Sequence, residues 1–306
     1  MQKLQLSAGA WSAAPTPFTE SLAVDAASVR RMVKHHINLK QKGIFIGGTC
    51  GEGPWLPRND MRRLTEATTA AAGGKIKVAV QVTDNSFPKV LEHIKDAKAD
   101  DADIAIIAEP WFVGPMANVI EKHYMEIAER SVLPVGIYSR SATIVPLGVL
   151  KKVLLHKNVV LFKDSSVSED VKKLALEVGH KKSSLLVMTG YELGMTPYLE
   201  AGYQGVLAGG GVLIGDLTAQ MVEKAQQGDF ATVAKLQAHC DRINYTVYGG
   251  KNITSWLTGL KYALVKMGIF STTAGYLKYP VDPGTKRKID KLIHRESMVL
   301  FPYRRW

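Results

Sequence analysis

Residues 159–166 read VVLFKDSS. Four apolar residues run straight into a lysine, followed by an aspartate and two serines. A short apolar run, rich in valine and bounded by polar residues, has the signature of a strand buried on both faces. Lys163 at its end is the anomaly, because removing a cation from water is costly unless something compensates it. Either the lysine snorkels to solvent or pairs with Asp164, or its amine is wanted in a sheltered place.

Working outward, the same unit recurs. The runs GAWSAAP, GIFIGG, IKVAVQV, DIAIIAE, LPVGIYS, VVLFKDS, SLLVMTG and GVLAGG are separated by amphipathic segments. Val29, Met32, Val33, His36 and Ile37 line one helical face. Ile120, His123, Tyr124 and Ile127 line a second, and Leu147, Leu150, Val153 and Leu154 a third,. Ser168 ahead of Glu169 and Asp170 reads as an N-cap with acids in the first turn,. Apolar strands linked by helices demand a parallel sheet covered by helices, and eight units are the number that closes a barrel. A doubly wound open sheet is the rival, but the chain has neither G-x-G-x-x-G nor a Walker A sequence,. The expected class is α/β, a (β/α)8 TIM barrel. After residue 228 the rhythm changes to helices at 229–248, 253–267 and 285–295, without strands. The expected division is a barrel over 1–228 and a C-terminal helical region over 229–306 packed on it.

Bulk properties narrow the function. The 306 residues carry a net charge of +11, yet the 39 Lys and Arg are scattered, and no basic helix interleaves aromatics. No RNP, helix-turn-helix or zinc-finger spacing occurs, so nucleic acid is not the expected partner; focusing of anionic substrates is. Two cysteines, Cys50 and Cys240, allow one disulfide at most and suit a reducing cytoplasm,. No stretch approaches the roughly 20 apolar residues of a membrane span, and MQKLQLSAGAW lacks a signal peptide's layout,. The histidines form no H-E-x-x-H or Cys/His cluster, so no metal is expected,.

In a barrel of this kind chemistry gathers at the C-terminal strand ends. Lys163 would sit there. Burial disfavours an ammonium, and the neutral amine is the species that attacks a carbonyl to form a Schiff base. GGTCGEG, after the second strand, can form a tight turn whose N–H groups, with the Thr49 hydroxyl, hold a carboxylate or phosphate; an ordinary glycine turn is the plainer reading. Tyr138 ends the fifth strand and could relay protons, or be a core tyrosine. Arg140 is a candidate clamp for a second carboxylate or a polyol, or a solvated loop arginine. AGGGV, after the eighth strand, could hold a phosphate.

Taken together, these strand ends resemble the dihydrodipicolinate synthase and N-acetylneuraminate lyase family of class I aldolases and lyases. APTPF at 14–18 is similar to that family's A-x-x-T-P-F opening, GGTCGE at 47–52 to its G-T-T-G-E loop, and FKDSS at 162–166 to its lysine motif. EAGYQGVLAGG and YLKYPVDP extend the likeness over nearly the whole chain. The resemblance implies a homotetramer, or a homodimer, that binds pyruvate or another 2-oxo acid as an imine on Lys163 and needs no cofactor. It implies that Gly48, Thr49, Cys50 and Gly51 hold the carboxylate, that Tyr138 transfers protons, and that Gly190 and Leu207 line the pocket. Three departures stand out. The family's Y-N-x-P-x-R-T is here Y-S-R-S, which brings Arg140 onto the substrate arginine if three residues are missing after Ser139. The turn's second threonine is Cys50, and EPWF puts Phe112 where condensing members carry a tyrosine. These changes remove parts of a hydroxyl relay. They point away from the lysine-pathway synthase, 4-hydroxy-tetrahydrodipicolinate synthase, and toward aldol cleavage or dehydration of a sugar-acid-like substrate. The alternatives are that synthase proper and, from another class, a non-catalytic 2-oxo-acid-binding paralogue.

Overall fold

The computed structural model describes residues 6–110, 116–140 and 145–303. Eight parallel strands close into a barrel in chain order: β1 (Gly9–Ala13), β2 (Gly43–Ile46), β3 (Lys77–Gln81), β4 (Ile104–Ala108), β5 (Val135–Ser139), β6 (Val159–Asp164), β7 (Leu186–Thr189) and β8 (Gly205–Ala208). The helices between them are α1 (Ala26–Asn38), α2 (Arg58–Ala72), α3 (Phe87–Ala99), α4 (Ala117–Arg130), α5 (Leu147–Leu155), α6 (Glu169–Lys181) and α7 (Thr196–Glu200), and α8 (Gly211–Gln226) follows β8. The expected TIM barrel is therefore the observed fold.

Strand parity divides the interior in two. Trp11, Phe45, Ala79, Ile106, Tyr138, Leu161, Met188 and Leu207 fill the barrel, while their neighbours Ile44, Val80, Ile107, Ile137, Phe162, Val187 and Val206 pack outward under the helices. Side chains on a strand alternate between its faces. Leu161 points in and Phe162 out, so Lys163 points in and Asp164 out. Helix ends follow local chemistry. Asp25 accepts the N–H groups of Ala27 and Ser28 at the start of α1, and Ser168 accepts that of Val171 at the start of α6, as the sequence led us to expect,.

The α4 face is buried as read, and so is that of α1 except for Ile37, which is half-buried against the core. The α5 face needs one correction: Leu147, the first residue of the helix, is 41% exposed, and Val149 joins Leu150, Val153 and Leu154 in the core instead. Cys50 and Cys240 are both free thiols, so the one conceivable disulfide is not made. Beyond the barrel come α9 (Phe230–Tyr248), α10 (Trp256–Lys266), α11 (Pro283–Arg295) and the short α12 (Ser297–Leu300). Among the described residues no helix is long and apolar enough to cross a membrane.

Candidate active site

Lys163 and Tyr138 are register partners on adjacent strands, each one residue from the C-terminal end of its strand. Lys163 is 5% exposed. Its Nζ lies 3.9 Å from the centroid of the Tyr138 ring and 5.3 Å from that of Phe45, and these two rings meet edge to face. The amine is thus held on aromatic faces at the barrel mouth. The snorkelling alternative fails on burial. Pairing with Asp164 fails too, because that carboxylate faces outward: Oδ1 accepts the Ser166 N–H and hydroxyl at 2.9 and 2.6 Å, and Oδ2 accepts the Tyr203 hydroxyl at 2.7 Å. Among the described residues no carboxylate lies within ion-pairing distance of Lys163.

Gly190 follows β7, and its missing side chain makes room for the lysine. A Cβ there would sit 2.5 Å from Lys163 Cε and 2.2 Å from Ser165 Oγ. Both neighbours touch one point, so the Ser165 hydroxyl lies beside the lysine stem; it is buried and has no hydrogen-bond partner among the described residues. The sequence reading missed Ser165, although it stands within the quoted stretch. Leu207 is fully buried in the same inner cluster as Tyr138.

The turn after β2 is closed by two bonds of its own, Glu52 N–H to Thr49 O and Gly53 N–H to Gly48 O. Thr16, within the APTPF opening, donates its hydroxyl to Gly51 O at 2.6 Å. The backbone N–H groups of Thr49 and Gly51 donate to no described residue. Cys50 shares this mouth with Lys163. Burial, reinforced by Glu192 and opposed by Lys163, pushes its thiol up to about 12, so it stays protonated,.

Two fully buried acids, Glu52 and Glu109, and the half-buried Glu192 escaped the sequence reading. Glu192 accepts Gly210 N–H at 2.5 Å and the Tyr248 hydroxyl at 2.9 Å. Burial holds its carboxyl above the usual range against these donors and Lys163. A Cβ on Gly209 would lie 2.7 Å from Cys50 Sγ and 3.3 Å from Glu192 Oε1, so both groups converge over that glycine. At the start of α8, where AGGGV suggested a phosphate, the Gly210 N–H is taken by the chain's own Glu192 carboxyl group. Glu109, after β4, is fully buried and takes both the Arg140 N–H, at 2.9 Å, and Arg140 Nε, at 3.2 Å. The proposed clamp therefore has its charge offset within the site. Glu52, also fully buried, pairs with Lys261 of α10. Phe112 lies outside the described residues.

A family model described as the dihydrodipicolinate synthetase family matches residues 6–295. The chain belongs to the dihydrodipicolinate synthetase family. It is accordingly a class I, Schiff-base-forming lyase on a TIM barrel. A 4-hydroxy-tetrahydrodipicolinate synthase of Synechococcus sp. (strain CC9605) is 30% identical over 226 residues, 72% of this chain and 74% of that protein. The crystal structure of dihydrodipicolinate synthase from Thermotoga maritima aligns over 96% of this chain and 100% of that one, with TM-score 0.86 and 20% identity. YagE, an E. coli K12 prophage protein of the same family solved in complex with pyruvate, aligns over 95% and 98%, with TM-score 0.83 and 18% identity.

Proposed function

We propose that Lys163 forms an imine with pyruvate or a related 2-oxo acid, and that the enzyme cleaves, condenses or dehydrates a sugar-acid-like partner at that carbon frame. The amine adds to the C2 carbonyl, and water leaves as the protonated imine forms. In the cleavage direction a proton leaves the C4 hydroxyl, the C3–C4 bond breaks, and its electron pair moves into the imine to give an enamine and an aldehyde. Protonation at C3 and hydrolysis then return the 2-oxo acid and the free lysine. In dehydration a C3 proton is removed and hydroxide departs from C4 as water. Tyr138, whose ring carries the amine, is the residue for proton transfer during imine formation. The turn 48–51, with the Thr49 hydroxyl, takes the carboxylate, and Gly190 and Leu207 wall the pocket.

One observation carries this reading: a buried amine rests on the Tyr138 ring at the barrel mouth, while its neighbouring aspartate is committed elsewhere. The polyol side of the assignment is supported by the polar groups around the amine. Ser165 offers a hydroxyl with no partner among the described residues, and Glu192 a carboxyl group that converges with Cys50 over Gly209. Assembly as a homotetramer or homodimer in a cytoplasmic setting belongs to the same proposal. Val119, Leu147 and Leu155 are exposed on α4 and α5 and offer apolar surface for it, which light scattering would read. Incubation with pyruvate and borohydride, followed by peptide mapping, tests the chemistry. A reduced adduct on Lys163 is expected, and its absence removes the mechanism. A panel of sugar acids assayed for pyruvate release then separates a lyase from a binding protein. Adduct formation without any turnover would favour the non-catalytic reading, which the Glu109–Arg140 pair keeps in view.

A further inference from the structure

Glu52 closes the turn after β2, and its backbone is left-handed, with φ +54°. That region is uncommon for a residue with a side chain, so surrounding contacts must hold it there. The contacts to its side-chain carboxylate come from the C-terminal region. Lys261 of α10, 209 residues away in sequence, donates its ammonium to Glu52 Oε1 and also to Ala274 O at 2.8 Å. Leu277 N–H donates to Glu52 Oε2 at 2.8 Å. The pair is sealed, with Glu52 0% and Lys261 1% exposed, and the ammonium sits 4.6 Å from the centroid of the Phe18 ring. The carboxylate is thus committed to the C-terminal region, while the Thr49 and Gly51 N–H groups of the turn it terminates donate to no described residue.

We propose that Lys261 is a positioning residue for the 2-oxo acid's carboxylate: by clamping Glu52 from α10 it fixes the turn 48–51 in the shape that receives that group. This rests on the proposed role of the turn. It makes the C-terminal helices part of the active-site frame, though Lys261 itself touches neither substrate nor Lys163.

The test measures borohydride trapping on Lys163 in the full chain with two ketones, pyruvate and pyruvamide, which differ only in the carboxylate. In Lys261→Met the pyruvate concentration for half-maximal trapping is expected to rise about tenfold or more, the scale of one weakened hydrogen bond to a charged group, while that for pyruvamide stays within about twofold. Trapping at saturation is retained. Lys261→Arg, which keeps the charge, restores part of the preference. Should Lys261→Met fail to fold, the double variant Glu52→Gln with Lys261→Met leaves no buried charge alone and is expected to show the same selective loss. A lysine with only a structural role would lower the folded fraction and leave the pyruvate-to-pyruvamide ratio untouched. That unchanged ratio, in any folded variant, overturns the proposal. No adduct on wild-type Lys163 overturns the Schiff-base reading and this inference together, whereas a wild-type adduct with an unchanged ratio overturns the positioning role alone.

Discussion

Lys163 and Lys261 are both almost fully buried, and the fold treats them in opposite ways. Lys261 is met by a carboxylate and a carbonyl; burial pulls its ammonium below the usual lysine range, and Glu52 opposes the pull. Lys163 meets aromatic faces and a glycine that makes room for it, with no carboxylate at pairing distance among the described residues. A paired buried cation loses its reactivity to its partner; one resting on π-faces keeps its amine available. The first arrangement builds the frame, and the second leaves a nucleophile.

The same substitution at the two sites separates these roles. Lys163→Met should reduce turnover by about a thousandfold or more, since it removes the amine that forms the imine, and should abolish the borohydride adduct. Its unfolding free energy in urea should change by less than about 1 kcal/mol, because methionine keeps the stem's packing and strands no partner. A stability loss comparable with that at Lys261 would break the contrast. Lys261→Met should instead cost about 3–5 kcal/mol in urea denaturation, the penalty for leaving the buried Glu52 carboxylate alone. Adding Glu52→Gln should recover much of it. If the single and double variants are equally stable, the pair is not the buried unit described here.

The contrast also explains what could be read in advance. The lysine in VVLFKDSS announced itself because strand parity is a two-residue rule, and Leu161 and Phe162 fix which way Lys163 points. The eight strands and the α9–α11 segments were legible for the same reason, through local periodicity. Glu52, Glu109 and Glu192 were not, because their partners, Lys261, Arg140 and Tyr248, come from other elements, and only barrel closure brings them together. A signal did exist for one. Lys261 stands one turn after Leu257 and beside Leu260 and Leu264 on a buried face, and a lysine in an apolar stripe asks for an anion,. Leu147 misled for the opposite reason: periodicity assigns a face but does not show where the helix begins.

A smaller change sharpens the Lys163 side. Gly190→Ala would put a methyl carbon where Lys163 Cε and Ser165 Oγ already lie, so the lysine stem must shift. A displacement of about 1 Å is enough to lower turnover about a hundredfold, with the adduct still forming at long incubation. Steady-state kinetics beside a trapping time course would show it. Turnover within about twofold of wild type would mean that the stem has room to spare.

His36 supplies a third way to bury a base, and the smallest expected effect. Its ring is fully enclosed on α1, with Nδ1 2.8 Å from Met32 O, and burial, helped by neighbouring His35, lowers it from 6.5 to about 3. The folded chain therefore keeps His36 neutral where the unfolded chain protonates it. With the folded value below the unfolded one, its contribution is complete above pH 6.5 and drains away as pH falls toward 3, by about 1.4 kcal/mol for each unit within that window. Urea midpoints at pH 7 and pH 5 should fall accordingly in wild type. His36→Leu should flatten that slope while lowering stability by a constant amount, since the bond to Met32 O is lost at every pH. An undiminished acid slope in the variant would assign the loss to carboxylates held below their usual range, such as Asp25 and Glu296, and would leave His36 a core residue of no titrating consequence.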